Sequence, residues 1–191
     1  EAKMLNLKVA SHTSGGPGIT SAVKNGIHSV EHGHWLENET IDLMKKNNTF
    51  YVPTLLVNER NFDFSKDEIF RSTKNWKWVE LSREAKWLSL EKVIKSNINI
   101  AVGTDAGFML PHGSMNYREL EYLVQGGLSN MQAIKSATQI GAKLLEINAG
   151  VIEPGREADI LIIKGNPLED LNVLSDKNNI KVFKKWKLIK N

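Results

Sequence analysis

Short apolar segments alternate with longer amphipathic ones along most of this chain, and this alternation constrains the fold more than any other feature. Runs rich in Val, Ile and Ala are each followed by a segment with helical spacing of apolar residues. Repeated strand and helix units of this kind predict an α/β fold with a parallel sheet. Four such units make half of an eight-fold barrel. The predicted strands are residues 8–12, 27–31, 50–55 and 98–102.

The segments that follow the strands are predicted to be helical. Apolar residues three and four positions apart give each of them one face suited to burial. Ser129 and Asn130 precede the last of these segments, and both residue types favour helix starts. Helices are predicted for residues 19–24, 38–48, most of 58–97, 117–124 and 131–145.

The chain changes character at Gly150. Three β-type segments follow, at residues 151–152, 158–163 and 180–183, separated by turns that contain Pro and Gly. So few strands do not make a stable β domain by themselves, and we expect strands from elsewhere to complete it. The predicted domains are therefore residues 1–149 and residues 150–191.

Composition narrows the possible functions. Hydrophobic residues make up 41% of the chain and charged residues 25%, which is typical of a soluble globular protein. The net charge is +3, but the basic residues are spread among 22 acidic ones. We therefore expect neither a nucleic-acid nor a membrane partner. Because the chain has no cysteine, any metal must be held by His and carboxylate side chains, which favours a cytoplasmic hydrolytic protein.

Residues 1–7 contain neither an initiator Met nor the charged and apolar regions of a signal peptide. Their pattern predicts the last turns of a helix that runs into the first strand. The chain is therefore expected to begin inside a fold.

Three side chains that can bind a metal stand at the ends of predicted strands. His12 ends the first, His32 follows the second, and Asp105 follows the fourth. The carboxyl ends of parallel strands meet at one edge of a sheet, where ligands bind in α/β folds. We expect these three residues to share a site of metal-assisted chemistry, and three ligands suggest that this site is incomplete.

Each candidate also has a structural interpretation. Asp105 is either catalytic or a cap of the loop that follows it. His112 is either a substrate contact or a turn residue, and His34 either tunes the pocket or faces solvent. Side-chain alternation places Glu31 on the face of the strand opposite to His32, which makes it a poor ligand candidate.

Ordered motifs span nearly the whole chain. They are Val30-Glu-His32-Gly33, Val52-Pro-Thr54, Gly103-Thr-Asp105-Ala-Gly107, Pro111-His-Gly113 with Glu119-Leu120, Ala137-Thr138, Gly150-Val-Ile-Glu-Pro-Gly-Arg-Glu-Ala-Asp159 and Gly165-Asn-Pro-Leu-Glu-Asp170. Together they resemble the C-terminal half of the amidohydrolase superfamily, in its imidazolonepropionase-like and Xaa-Pro dipeptidase-like branch. The resemblance implies half of a (β/α)8 TIM-like barrel, strands five to eight, with a C-terminal segment of a partial β-sandwich.

The resemblance also implies a role for each of the three strand-end residues. His12 and His32 resemble the fifth-strand and sixth-strand metal ligands, and Asp105 resembles the eighth-strand aspartate that both touches the metal and moves a proton. Zinc, as one or two divalent ions, suits these donors. A bound cation would supply Lewis acidity toward a water molecule and toward the substrate carbonyl. Asp105 would then pass the proton of that water to the leaving nitrogen.

Two departures from the family pattern affect the expected activity. The family has a His-x-His pair on its first strand and a carboxylated lysine or glutamate on its fourth, and both strands would precede Glu1. The resemblance therefore implies a fragment that is inactive alone. Related prolidase-like members carry a Tyr that holds a substrate carboxylate three positions after the sixth-strand His. Trp35 occupies that position here, so we expect it, with His112, to contact a substrate without that carboxylate.

Two functions remain open. The first is a metal-dependent hydrolase of small amide or dipeptide substrates, completed by a missing N-terminal half. The second is a non-catalytic half-barrel that persists as an oligomeric scaffold. Because a half-barrel leaves two sheet edges unpaired, we expect the chain to form a homo-oligomer or to pair with that missing half.

Overall fold

The computed structural model describes residues 1–64, 74–107, 111–113 and 116–190. Two compact units divide the chain, residues 1–114 and residues 115–191. The described part contains no helix that is long and apolar enough to cross a membrane.

The first unit is built on a parallel sheet, as the alternation of strands and helices predicts. Its elements in chain order are a 3₁₀ helix at Ala2–Leu5, β1 (Ala10–Gly15), α1 (Pro17–Lys24), β2 (Ser29–Trp35), α2 (Asn38–Asn47), β3 (Phe50–Val52), α3 (Leu55–Phe64) and α4 (Lys74–Lys95). The strands pair in the order β1-β2-β3. Each pairing is parallel.

The fourth predicted strand is reduced to one bridge. Tyr51 pairs in parallel with Ile100, and the backbone bonds from Tyr51 N to Asn99 O and from Ala101 N to Tyr51 O are both 2.9 Å long. The segment therefore continues the sheet beyond β3, although it is shorter than residues 98–102. Val30 and Tyr51 are fully buried, which places the core of this unit between the sheet and its helices.

The second unit combines helices with an antiparallel sheet. Its elements are α5 (Asn116–Gln125), α6 (Asn130–Ala137), α7 (Gln139–Leu145), β4 (Ile160–Ile163), 3₁₀ helices at Leu171–Leu174 and Lys177–Asn179, β5 (Ile180–Lys184) and β6 (Lys187–Lys190). The strands pair in the order β4-β5-β6. Leu123 and Ala133 are buried at the centre of this unit.

Several predictions of secondary structure were wrong in detail. The second strand, predicted for 27–31, spans 29–35 and so includes His32. The third, predicted for 50–55, ends at Val52, because Leu55 begins α3. The single helix predicted for 131–145 is two helices, because Thr138 between them has φ −122° and ψ −88°. Residues 151–152 form no strand, and residues 2–5 form a 3₁₀ helix rather than the end of an α-helix. The first strand continues through His12 to Gly15.

Candidate functional site

The register of the parallel sheet brings His12 and His32 side by side. His12 is paired with Glu31, and Thr13 with His32. The centroids of the two imidazole rings lie 4.5 Å apart, and the ring planes meet at 70°. His32 is buried, with 8% of its surface exposed, whereas His12 is exposed. Two of the three candidate ligands therefore share one edge of the sheet.

An unusual backbone conformation positions His32. Its φ is 67° and that of Gly33 is 53°, so both residues lie in the left-handed region that non-glycine residues rarely adopt. The Tyr51 hydroxyl lies 2.9 Å from His32 O and 3.2 Å from Gly33 O, and donates to these carbonyls. Tyr51 thereby stabilises an irregular stretch of β2 whose backbone would otherwise be strained.

Glu31 directly precedes this irregular stretch of β2, and its pKa is shifted. Regular alternation no longer applies where His32 leaves the extended conformation, and the charge of Asp105 acts on both Glu31 and His32. Burial raises the pKa of Glu31, the hydrogen bond from Ser29 Oγ, 2.5 Å from Glu31 Oε1, opposes this, and Asp105 raises the pKa further. Glu31 therefore belongs to the electrostatic surroundings of the candidate site.

Asp105 stands in a tightly packed loop. It is exposed and has a left-handed φ of 53°. Two residues earlier, a methyl group on Gly103 would lie 2.6 Å from Val52 Cγ1, so the backbone there runs directly against β3. Within residues 1–64, 74–107, 111–113 and 116–190, no three His, Asp or Glu side chains are grouped closely enough to hold a metal ion.

A second set of polar contacts lies behind His32. The Nδ1 atom of His32 is 2.6 Å from the hydroxyl of Thr54, which follows β3. The ammonium group of Lys86, fully buried on α4, donates to this hydroxyl over 3.2 Å. Burial lowers the pKa of His32 to about 4, and the charges of Lys86 and His12 add to this effect against the opposing charge of Asp105. His32 is therefore a neutral imidazole at pH 7, the form that binds metals.

His34 is buried rather than turned to solvent, with 5% of its surface exposed. Its Nε2 atom lies 3.2 Å from Asn58 Oδ1, and its Nδ1 atom has no hydrogen-bond partner. Burial lowers the pKa of His34 to about 3, and the charge of Lys86 contributes. The sequence could not distinguish this arrangement from an exposed His34, because Asn58 and Lys86 are distant along the chain.

The two predicted substrate contacts lie on different parts of the first unit. The Trp35 ring centroid is 5.6 Å from that of His34 and 6.4 Å from that of Trp78. Trp35 and His34 also line an open cavity of about 370 Å³ between the end of β2 and α4. His112 packs beside the loop after Asp105, because a methyl group on Gly107 would lie 3.0 Å from His112 Nε2.

Comparison with known proteins identifies the family. The model of the amidohydrolase family matches residues 1–185. The chain belongs to the amidohydrolase family. It is 30% identical over 195 residues to ochratoxinase from Aspergillus niger, covering 100% of the chain and 39% of that relative. It is 31% identical over 151 residues to imidazolonepropionase from Picrophilus torridus, covering 76% of the chain and 37% of that relative.

Solved structures agree with this assignment. A Xaa-Pro dipeptidase with bound methionine in its active site is 37% identical, with a TM-score of 0.85, and the match covers 100% of this chain and 46% of that one. The structure of A. niger ochratoxinase is 30% identical, with a TM-score of 0.88, and the match covers 100% of this chain and 43% of that one. The expected family and branch are confirmed, and the fold corresponds to part of an amidohydrolase barrel. The chain spans less than half the length of these relatives.

Proposed function

We propose that the protein carrying this chain is a metal-dependent hydrolase that cleaves carbon–nitrogen bonds in amides, peptides or cyclic amides. The observation that carries the proposal is the pair of adjacent imidazoles of His12 on β1 and His32 on β2, in a chain of this family. The Xaa-Pro dipeptidase and ochratoxinase structures support a small amide or dipeptide as substrate.

The donor set suits zinc, in one or two ions. Neutral imidazoles and a carboxylate are preferred zinc ligands, and the depressed pKa of His32 keeps it neutral. His12 and His32 would hold part of the ion's coordination, with Asp105 as the predicted carboxylate ligand, although the described residues do not group the three closely enough to hold an ion by themselves. A bound divalent ion supplies Lewis acidity toward water and the substrate carbonyl. We propose that further ligands complete this set.

Asp105 has the clearest chemical role in this proposal. Hydrolysis adds the hydroxyl of water to the acyl carbon and a proton to the nitrogen as the carbon–nitrogen bond breaks. The Asp105 carboxylate would accept the proton from water and deliver it to that nitrogen. Trp35 and His112 would contact the rest of the substrate. A cytoplasmic location stays a prediction from the cysteine-free sequence.

The proposal is tested on the protein at its natural length. We expect one or two zinc ions per chain by elemental analysis, and hydrolysis of compounds in a panel of N-acyl amino acids and dipeptides. Asp105→Asn should lower kcat by roughly 10²- to 10⁴-fold, because it removes the proton carrier. Asp42→Asn, an exposed position on α2, should leave kcat unchanged. Absence of zinc together with unchanged activity in Asp105→Asn would refute the proposal.

A second candidate function is favoured by the outer side of β1, the side that faces away from β2. Within the described residues, β1 pairs with β2 and has no strand on its other side. Nearby, Met4, Leu5 and Leu7 are all more than half exposed. Such an edge associates readily with another strand or chain. The 191 residues alone would then form an inactive oligomeric scaffold.

A further inference from the structure

The hydrogen bonds behind His32 and His34 converge on one buried ammonium group. Lys86 Nζ lies 2.6 Å from Asn58 Oδ1 and 3.2 Å from both the hydroxyl and the carbonyl oxygen of Thr54. We propose that Lys86 is a positioning residue, which fixes through Thr54 and Asn58 the ring nitrogen that carries hydrogen in each histidine. The consequence for metal binding by His32 rests on the proposed function.

The chemistry of an ammonium group determines the direction of each bond on the His34 side. Lys86 Nζ can only donate, so the Asn58 atom 2.6 Å away must be the acceptor oxygen. That same oxygen lies 3.2 Å from His34 Nε2. Nε2 must therefore carry a hydrogen and donate it. A hydrogen on the buried Nδ1 atom would find no acceptor, so Nδ1 keeps the lone pair.

The same reasoning applies to His32 through Thr54. The Thr54 hydroxyl accepts from Lys86 over 3.2 Å, and its own hydrogen has an acceptor in Pro53 O, 2.7 Å away. The remaining contact, 2.6 Å to His32 Nδ1, is then a bond that the imidazole donates. Nε2 of His32 consequently keeps its lone pair, which is the form that a metal ligand requires.

The position of Lys86 is specific to this role. A buried ammonium is costly unless several acceptors surround it, and its acceptors here include those that contact the two imidazoles. Removing it takes the fixed donor from both Thr54 and Asn58. Without the two bonds by which Lys86 holds Thr54 in place, the Thr54 hydroxyl becomes able to turn away from Pro53 O and point its hydrogen toward His32. The Asn58 amide becomes able to reverse.

The inference is tested on the metal-free 191-residue chain by ¹H–¹⁵N NMR of the histidine rings, which reports the protonated nitrogen directly. The wild type should show His32 with hydrogen on Nδ1 and His34 with hydrogen on Nε2. Lys86→Met keeps the length and apolar stem of the side chain, and should produce a mixture of tautomers at both rings. Lys77→Met, at an exposed position of the same helix, should leave the wild-type pattern.

A second pair of variants separates the two branches. Thr54→Val removes the hydroxyl, so the tautomer of His32 should change while that of His34 stays as in the wild type. Thr54→Ser keeps the hydroxyl and should leave both rings unchanged. This pair decides the question if Lys86→Met does not fold. Wild-type tautomers in folded Lys86→Met, or in folded Thr54→Val at His32, would overturn the inference.

Zinc affinity gives a separate measurement on the protein at its natural length. Loss of a group that orients a metal ligand typically weakens metal binding by about 10- to 100-fold, and we expect this range for Lys86→Met but no change for Lys77→Met. An unchanged zinc dissociation constant in Lys86→Met would overturn the positioning role. Altered tautomers with no zinc bound by any variant would refute the proposed function and leave the tautomer assignment standing.

Discussion

His32 and His34 are imidazoles that the fold holds in their neutral form. Their folded-state pKa values are about 4 and about 3, and burial is the main cause for each. An ordinary histidine in the unfolded chain has a pKa near 6.5. Between these values the unfolded chain binds more protons than the folded one, so acid favours unfolding.

Stability should therefore fall as the pH is lowered from about 6.5 toward 4. The contribution of His32 is fully present above pH 6.5 and is lost as the pH falls to about 4, while that of His34 continues to decline to about 3. Urea unfolding across this range measures the free energy of unfolding. His34→Gln should reduce the slope of the free energy of unfolding against pH. A slope equal to that of the wild type would contradict the assigned pKa of His34.

At the scale of single residues, the sequence predicted which side chains lie side by side on adjacent strands. It did not predict the contacts between segments that are distant along the chain. His12 and His32 could be placed together because neighbouring parallel strands end at the same edge. The left-handed conformation of His32 was not predicted, because it cannot be inferred from strand alternation. Lys86 was missed because it approaches His32 from α4, 54 positions later in the chain.

Among the elements of the first unit, the segment that leads to Asp105 depends on close packing against β3. Gly103 is the point of contact, since a methyl group there would lie 2.6 Å from Val52 Cγ1. A contact this short requires the Val52 side chain or the backbone at residue 103 to shift. The bridge between Tyr51 and Ile100 lies just before this point, so packing and pairing hold the same segment.

Gly103→Ala should destabilise the protein by about 1–3 kcal/mol, the usual cost of overpacking. It should also move the loop that carries Asp105 and reduce activity in the protein at its natural length. Thermal or urea unfolding measures the first effect. Gly18→Ala is the matched control, because a methyl group on this helical glycine meets nothing within 4 Å. Equal stability of the two variants would contradict the close contact.

The elements show where local sequence is sufficient to predict structure. Ser129 caps α6 as predicted, with Gln132 completing a reciprocal capping box, because both residues act within one helical turn. The break at Thr138 was not predicted, since residues 131–145 keep a helical pattern of apolar residues on both sides of it. The apolar pattern of residues 98–102 also predicts a full strand, although the segment pairs through a single bridge at Ile100.

For the molecule as a whole, we expect association in solution to depend on the side of β1 that pairs with no strand among the described residues, and on the apolar residues before it. We expect the 191 residues to associate into dimers or larger species, which sedimentation velocity measures directly. Leu7→Lys should shift the distribution toward monomer by placing a charge beside that edge. Leu88→Lys, at a similarly exposed leucine on α4, should have no effect. A compact wild-type monomer would contradict this expectation.

The motifs of the sequence were sufficient to identify the amidohydrolase family, because they occur in the order of the family and are spread over most of the chain. The assignment of the four strand segments to positions five to eight of a barrel, and of residues 150–191 to a composite sandwich, stays a prediction. Those assignments require further strands that pair with β1 and with the sheet of β4, β5 and β6. No such strands are present among the described residues.

The contacts behind His32 also indicate how this protein can be engineered. Tyr51, Thr54 and Lys86 each bond to a buried polar atom, and losing such a bond typically costs 1–3 kcal/mol. Trp35, the proposed substrate contact, and Trp78 are partly exposed, and their ring centroids lie 6.4 Å apart. On the proposed function, a mutagenesis library aimed at new substrates should therefore randomise the two tryptophans and keep the three buried residues constant.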